Sequence, residues 1–246
     1  MGVNAQTAVP AFQALEVLTA AEMTQVNTGI PVFATTTTRD AAFGGTGEKT
    51  LAQGQTCYIE ATSEYQTYTG SAWQNITPGL TFLSTTTIGS GVSTVSLPAN
   101  TFTSAFANYR ILFTFPASVT GSAQLTINTR MRAGGSDDSS AAYSWNGFTS
   151  AGSLTNNVAS NQTSMLTVYV RNGFEERSFG MMEIYSPQLA TETNITINSW
   201  SDFGGTFYNL FENGMLNTTT VYDSLTFVIS GGTLTGGKIS VYGYDL

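Results

Sequence analysis

The chain has no histidine, a single cysteine and few charges: 10% of its 246 residues are Asp, Glu, Lys or Arg. Without an imidazole, Ser-His-Asp and Cys-His catalysis lack their general base. With one thiol besides, a zinc centre lacks its ligands. Cys57 has no partner in the chain for a disulfide, which fits folding in a reducing compartment. Eight basic residues face sixteen acidic ones, a net charge of −8. Scattered cations make no basic patch, so no nucleic-acid partner is expected. No apolar run approaches the ~20 residues of a membrane-spanning helix, so no membrane insertion is expected. The opening MGVNAQTAVPAF lacks the basic and apolar segments of a secretory leader. Gln6 stands where a myristoylation motif needs Ser or Thr.

What the chain does have is threonine (40), serine (24) and glycine (25), with 12% aromatic and 41% hydrophobic residues. Threonine is β-branched and favours strands, glycine marks turns, and the aromatic content argues against disorder. The expected fold class is all-β. Strands are expected at 80–87, 92–97, 109–115, 123–132, 165–172, 179–186, 194–200, 224–230 and 238–244. Alternation is clean in places: Leu125, Ile127 and Thr129 oppose Thr126, Asn128 and Arg130. So many short strands suit a jelly-roll-like β-sandwich over 80–246. A sandwich of another strand order fits the same pattern.

Upstream, a small β meander is expected over 46–79, with strands at 56–61, 64–68 and 73–76 and a turn at Thr62-Ser63. Pro78-Gly79 marks its end. Residues 1–45 read as an N-terminal arm holding one short helix. Thr19 with Glu22 makes a capping box, Leu18 with Met23 a hydrophobic staple, and Asn27-Thr28-Gly29 a stop, which predicts a helix over 20–27. Residues 30–45, with the threonine run 35–38, read as a strand and a loop. So short a helix needs a surface to pack on. The candidate docking residues are Leu15, Leu18, Met23, Val26, Ile30, Val32 and Phe33, facing either the chain's own domain or another subunit.

No catalytic, cofactor-binding or metal-ligating set stands out. Asp137-Asp138, Glu175-Glu176, Glu183 and Asp202 are the carboxylates a glycosidase would need, but acids on Gly/Ser loops usually read as solvated turn residues. The loop 134–139 offers oxygens to calcium yet lacks the EF-hand spacing. Asn172-Gly173 reads as a hairpin turn. The Gly-Gly pairs precede no helix, which disfavours a phosphate cradle. Four Asn-x-Thr triplets, at Asn75, Asn161, Asn194 and Asn217, are what so much Asn and Thr produces by chance. Among the aromatic residues, Trp145, Trp200 and Tyr208 are candidates for core packing, a subunit interface or glycan contact.

Two groups of segments carry a resemblance. Leu18–Met23, Gly29–Phe33 and Thr38-Arg39-Asp40-Ala41-Ala42-Phe43 are followed by Leu51–Ile59 and by Tyr68-Thr69-Gly70-Ser71-Ala72-Trp73. This succession resembles tail-fibre and minor structural proteins of tailed bacteriophages. The segments Asn108–Leu112, Arg130–Gly135 and Ile239–Tyr244 are similar to β-sandwich modules in virion proteins of marine and cyanobacterial phages. The resemblance implies a virion structural protein, assembled in the host cytoplasm, with other virion proteins as partners, no catalytic residues and no cofactor. A tail-fibre or baseplate appendage, a homotrimer in contact with a host surface glycan, is the leading expectation. A capsid decoration protein and a glycan-binding or glycan-cleaving spike are the alternatives.

Overall fold

The computed structural model describes residues 17, 29–45, 49–76, 79–115, 119–121, 124–171, 178–203 and 206–245. The helix expected over 20–27, the docking candidates Leu15, Leu18, Met23 and Val26, the Asn172-Gly173 turn and Glu175-Glu176 lie outside the described residues. The chain divides into two compact units, meeting between Pro78 and Gly79.

The smaller unit is a sheet of four strands: β1 (Val32–Phe33), β2 (Thr56–Ile59), β3 (Glu64–Tyr68) and β4 (Trp73–Asn75). Strands β2 to β4 are the expected meander, and Ser63 takes a positive φ of 56° at the turn after β2. Strand β1 pairs parallel to β2, Phe33 opposite Ile59. Residues 29–45, assigned above to the arm, are therefore part of this unit. Phe33 is fully buried in a core with Ala42, Cys57 and Ile59. Its ring serves that core and is not available to a foreign surface.

The threonine run is not a loop. It forms the helix α1 (Thr36–Ala41), capped by Thr35, whose Oγ1 accepts from the Thr38 amide at 3.2 Å. Threonine is a poor helix former, so the reason for this turn lies in the cap and in Arg39. Arg39 is 6% exposed, with its guanidinium 4.7 Å from the Trp73 ring centroid. It donates to Gln66 and, at 2.7 Å, to Asp40. The Thr-Arg-Asp-Ala-Ala-Phe segment is thus a plug that closes the small sheet.

The larger unit is a β-sandwich whose chain crosses repeatedly between two sheets, as in a jelly roll. Its strands, in chain order, are β5 (Thr81–Thr87), β6 (Thr94–Ser96), β7 (Asn108–Phe115), β8 (Val119–Gly121), β9 (Gln124–Ala133), β10 (Ser136–Asp137), β11 (Tyr143–Ser150) and β12 (Leu154–Gln162). They continue with β13 (Met165–Arg171), β14 (Ser178–Tyr185), β15 (Thr193–Phe203), β16 (Thr206–Leu216), β17 (Ser224–Ile229), β18 (Gly232–Leu234) and β19 (Lys238–Tyr244). One sheet has eight antiparallel strands in the order β12-β11-β16-β15-β14-β7-β19-β5. The other runs β10-β9-β17-β6, with β13 also pairing β9. Strands β8 and β18 form a separate ribbon.

The core lies between the two sheets. Ile111, Phe113 and Phe115 of β7, with Met182 and Ile184 of β14, meet Ile127 and Met131 of β9 and Leu225 and Phe227 of β17. The Phe227 ring sits 5.7 Å from both Phe113 and Phe115. All nine expected strands of this unit are present. Strands β11, β12 and β16 were not among them. Their sequences are rich in Asn, Ser and Gly, a composition that reads as turn.

Candidate functional site

Side chains alternate across a strand, so the residues of the eight-stranded sheet that turn away from the core share one outer face. Three cross-strand rows define its central part. In the first, Asn146 of β11 is opposite Asn213 of β16, which is opposite Thr196 of β15. In the second, Phe148 is opposite Phe211, which is opposite Asn198. In the third, Asn209 is opposite Trp200, which is opposite Phe179 of β14.

Rings and carboxamides therefore interleave. Trp200 lies 5.0 Å from Phe179 and 5.3 Å from Phe207, forming a short stack whose two phenylalanines are half exposed. Phe148 and Phe211 stack at 5.6 Å with 29° between their planes. Beside them run two open concavities of about 380 and 430 Å³ that share Asn146 and Asn213 as walls. No charged residue lines either. Asn194 and Met215 extend the first, and Asn156 the second. Asn146, Asn194, Asn198 and Asn209 are exposed, and their carboxamides bond to no other described residue. Asn213 accepts from the Thr196 hydroxyl at 3.0 Å, which leaves its amide N–H groups for an outside acceptor. Two strands away, Arg110 and Glu183 form a tight ion pair at 2.5 Å, and Glu183 also accepts from Tyr244 at 2.7 Å. The pair leaves this part of the face close to neutral.

A pair of Asn-Gly dipeptides lies in mid-strand at this part of the face. Asn146-Gly147 and Asn213-Gly214 look like hairpin turns in the sequence, yet they lie side by side in the sheet. A Cβ on Gly147 would stand 1.9 Å from the Phe211 carbonyl oxygen. The glycine thus allows β11 and β16 to approach closely. On the inner side of the same place, fully buried Glu212 accepts from Asn157 at 2.8 Å through Oε1, while Oε2 finds no partner. Burial pushes its carboxyl pKa up.

Of the three aromatic candidates, the structure brings Trp200 alone to this face. Trp145 turns inward from β11 and packs against the core, and it also lines the first concavity. Tyr208 also turns inward, its ring 5.8 Å from Tyr169. Phe148, Phe179, Phe207, Phe211 and the asparagines were missed. The signal that could have found them is the alternation of Phe and Asn at positions 207, 209, 211 and 213, a strand period of two.

The acidic loop residues are half-buried and bonded into the fold. Gly134 and Gly135 form the turn between β9 and β10, both with positive φ (56° and 82°). That turn brings Asp137 to Arg132, 2.7 Å away, and to the buried Thr226, whose hydroxyl donates at 2.7 Å. Asp138 accepts from Tyr222 at 2.5 Å and from the Ser140 amide at 2.8 Å. Burial pushes the Asp138 pKa up, but the bonds from Ser140 and Tyr222 outweigh it and hold the carboxyl below its ordinary value. Burial, then the bond to Asp138, pushes Tyr222 up to about 12. Cys57, buried in the smaller unit, is pushed up to about 11 by its burial.

No family of known proteins matches the chain. No curated protein matches it either. Among solved structures, the CBM2 module of the evolved Dit of Lactobacillus casei BL23 phage J-1 aligns at 6% identity with a TM-score of 0.21, over 62% of this chain and 70% of that one. A likeness so slight carries no inference about this chain.

Proposed function

We propose that the chain is a non-enzymatic structural component of a bacteriophage virion: a tail-fibre or baseplate appendage that forms a homotrimer and binds other virion proteins through its N-terminal arm. Leu15, Leu18, Met23 and Val26, with half-exposed Ile30 and half-buried Val32, are the docking residues of that arm. The observation that carries the reading is the use made of the acids in the larger unit. Asp137, Asp138 and Glu183, candidates for bond cleavage, are each tied into the fold by Arg132, Tyr222 or Arg110; Asp202 lies opposite Phe207 on the outer face, whose two concavities are lined by no charged residue. A scaffold that displays a surface and uses these acids to hold its fold suits an appendage. The sequence resemblance to phage tail-fibre and minor structural proteins supports the same reading.

Mass spectrometry of purified particles tests it. The expected copy number is a few to tens per particle, in multiples of three. Hundreds of copies would instead support decoration of the head shell. A chain lacking residues 1–28 is expected to be absent from particles, and its normal incorporation would overturn the role of the arm. Release of reducing ends from host polysaccharide by the purified protein would overturn the non-enzymatic reading.

A further inference from the structure

From the outer face of the eight-stranded sheet we infer a binding site for a neutral glycan chain, running from the Phe179–Trp200–Phe207 stack past Phe148–Phe211 into the concavities walled by Asn146 and Asn213. The inference does not depend on where the protein sits in a particle, since copy number is read without any glycan.

Three observations select the ligand. First, the rings stand in two groups, a stack of three and a pair, with Phe148, Phe179 and Phe207 exposed and Trp200 and Phe211 half-buried. Sugar rings carry C–H faces that lie flat on such surfaces. Second, the polar groups between the rings are carboxamides, each both donor and acceptor, and those of Asn146, Asn194 and Asn209 bond to no other described residue. A second protein surface would bury these groups and forfeit their water unless it matched every one. Sugar hydroxyls, also donor and acceptor, replace water at each. Third, no charged residue lines either concavity. An anionic polysaccharide or a phosphate would find no cation to pair with. The concavities, about 380 and 430 Å³, match small-ligand pockets in size and adjoin through Asn146 and Asn213, so they suit consecutive sugar units of one chain.

The test is binding of the full chain to an array of neutral and acidic glycans, followed by affinity electrophoresis in dextran, galactan and mannan, with polygalacturonate as the acidic control. The expected result is retention by neutral glycans and none by polygalacturonate. Trp200→Ala and the double variant Asn146→Ala/Asn213→Ala should each weaken binding at least tenfold. Thr85→Ala, on the same sheet but away from the rows, should bind as the parent does. Circular dichroism melting shows that each variant is folded. Absence of retention by any neutral glycan overturns the proposal, as does binding that survives both variants. Concentration-dependent self-association abolished by Trp200→Ala would show that a second copy occupies the face, and overturns it equally.

Discussion

At the residue scale, Glu212 is the most telling side chain of the larger unit. It is fully buried, has one hydrogen bond, and leaves one carboxylate oxygen unpaired. Burial disfavours its charged form, so the folded state holds the proton more tightly than the unfolded chain does. Its contribution to stability is therefore full below the ordinary carboxyl range and is lost as the pH rises through the raised folded value. Glu212→Gln keeps an acceptor for Asn157 and carries no charge. Urea unfolding of parent and variant from about pH 4 to about pH 7.5 should show the parent losing stability relative to the variant as the pH rises past the ordinary Glu value. Parallel curves would mean that Glu212 titrates as in the unfolded chain. Asp138 works in the opposite sense. Its lowered pKa gives stability that is present above the ordinary Asp value and fails as the pH falls through the folded one.

At the scale of elements, the pairing of β11 with β16 decides whether the candidate site exists. Gly147 sits where a Cβ would run into the Phe211 carbonyl at 1.9 Å and the Glu212 Cα at 2.9 Å. Both obstacles are backbone and cannot rotate away. Gly147→Ala must push the strands apart, at a cost of about 1–3 kcal/mol or more. At Gly79 an added Cβ meets nothing within 4 Å, and Gly79→Ala should change stability by less than about 0.5 kcal/mol. Chemical denaturation of both variants measures the contrast, and equal costs would refute the close approach. The helix α1 makes a similar point in the smaller unit. Thr36, Thr37 and Thr38 have little propensity to form it, yet the Thr35 cap and the burial of Arg39 over Trp73 hold it in place.

At the scale of the molecule, the larger unit has an inside and an outside that the same residue types share. Phe227 lies between the sheets, in contact with Phe113 and Phe115. Trp200 lies on the open face, in contact with Phe179 and Phe207. Phe227→Ala leaves a cavity and should cost about 3–5 kcal/mol. Trp200→Ala leaves its space to water and forfeits two ring contacts, about 1–2 kcal/mol. Thermal or urea denaturation separates the two. Similar losses would mean that Trp200 belongs to the core.

The chain by itself determined that the fold is all-β and determined where most strands run. Alternation such as Leu125, Ile127, Thr129 against Thr126, Asn128, Arg130 records which side of a strand faces water, and that is local information. The sequence also showed the lack of histidine and of paired thiols, because composition needs no geometry. It did not reveal β11, β12 and β16. Asn-Gly has a local preference for the turn, and only the pairing of two neighbouring strands at Gly147 makes it worth more as a place of close approach. Nor could it separate Trp200 from Trp145 and Tyr208, since a tryptophan that stacks on an open sheet and one that fills a core are the same residue. Which of them meets water depends on which face is covered by the second sheet. Only long-range packing settles that.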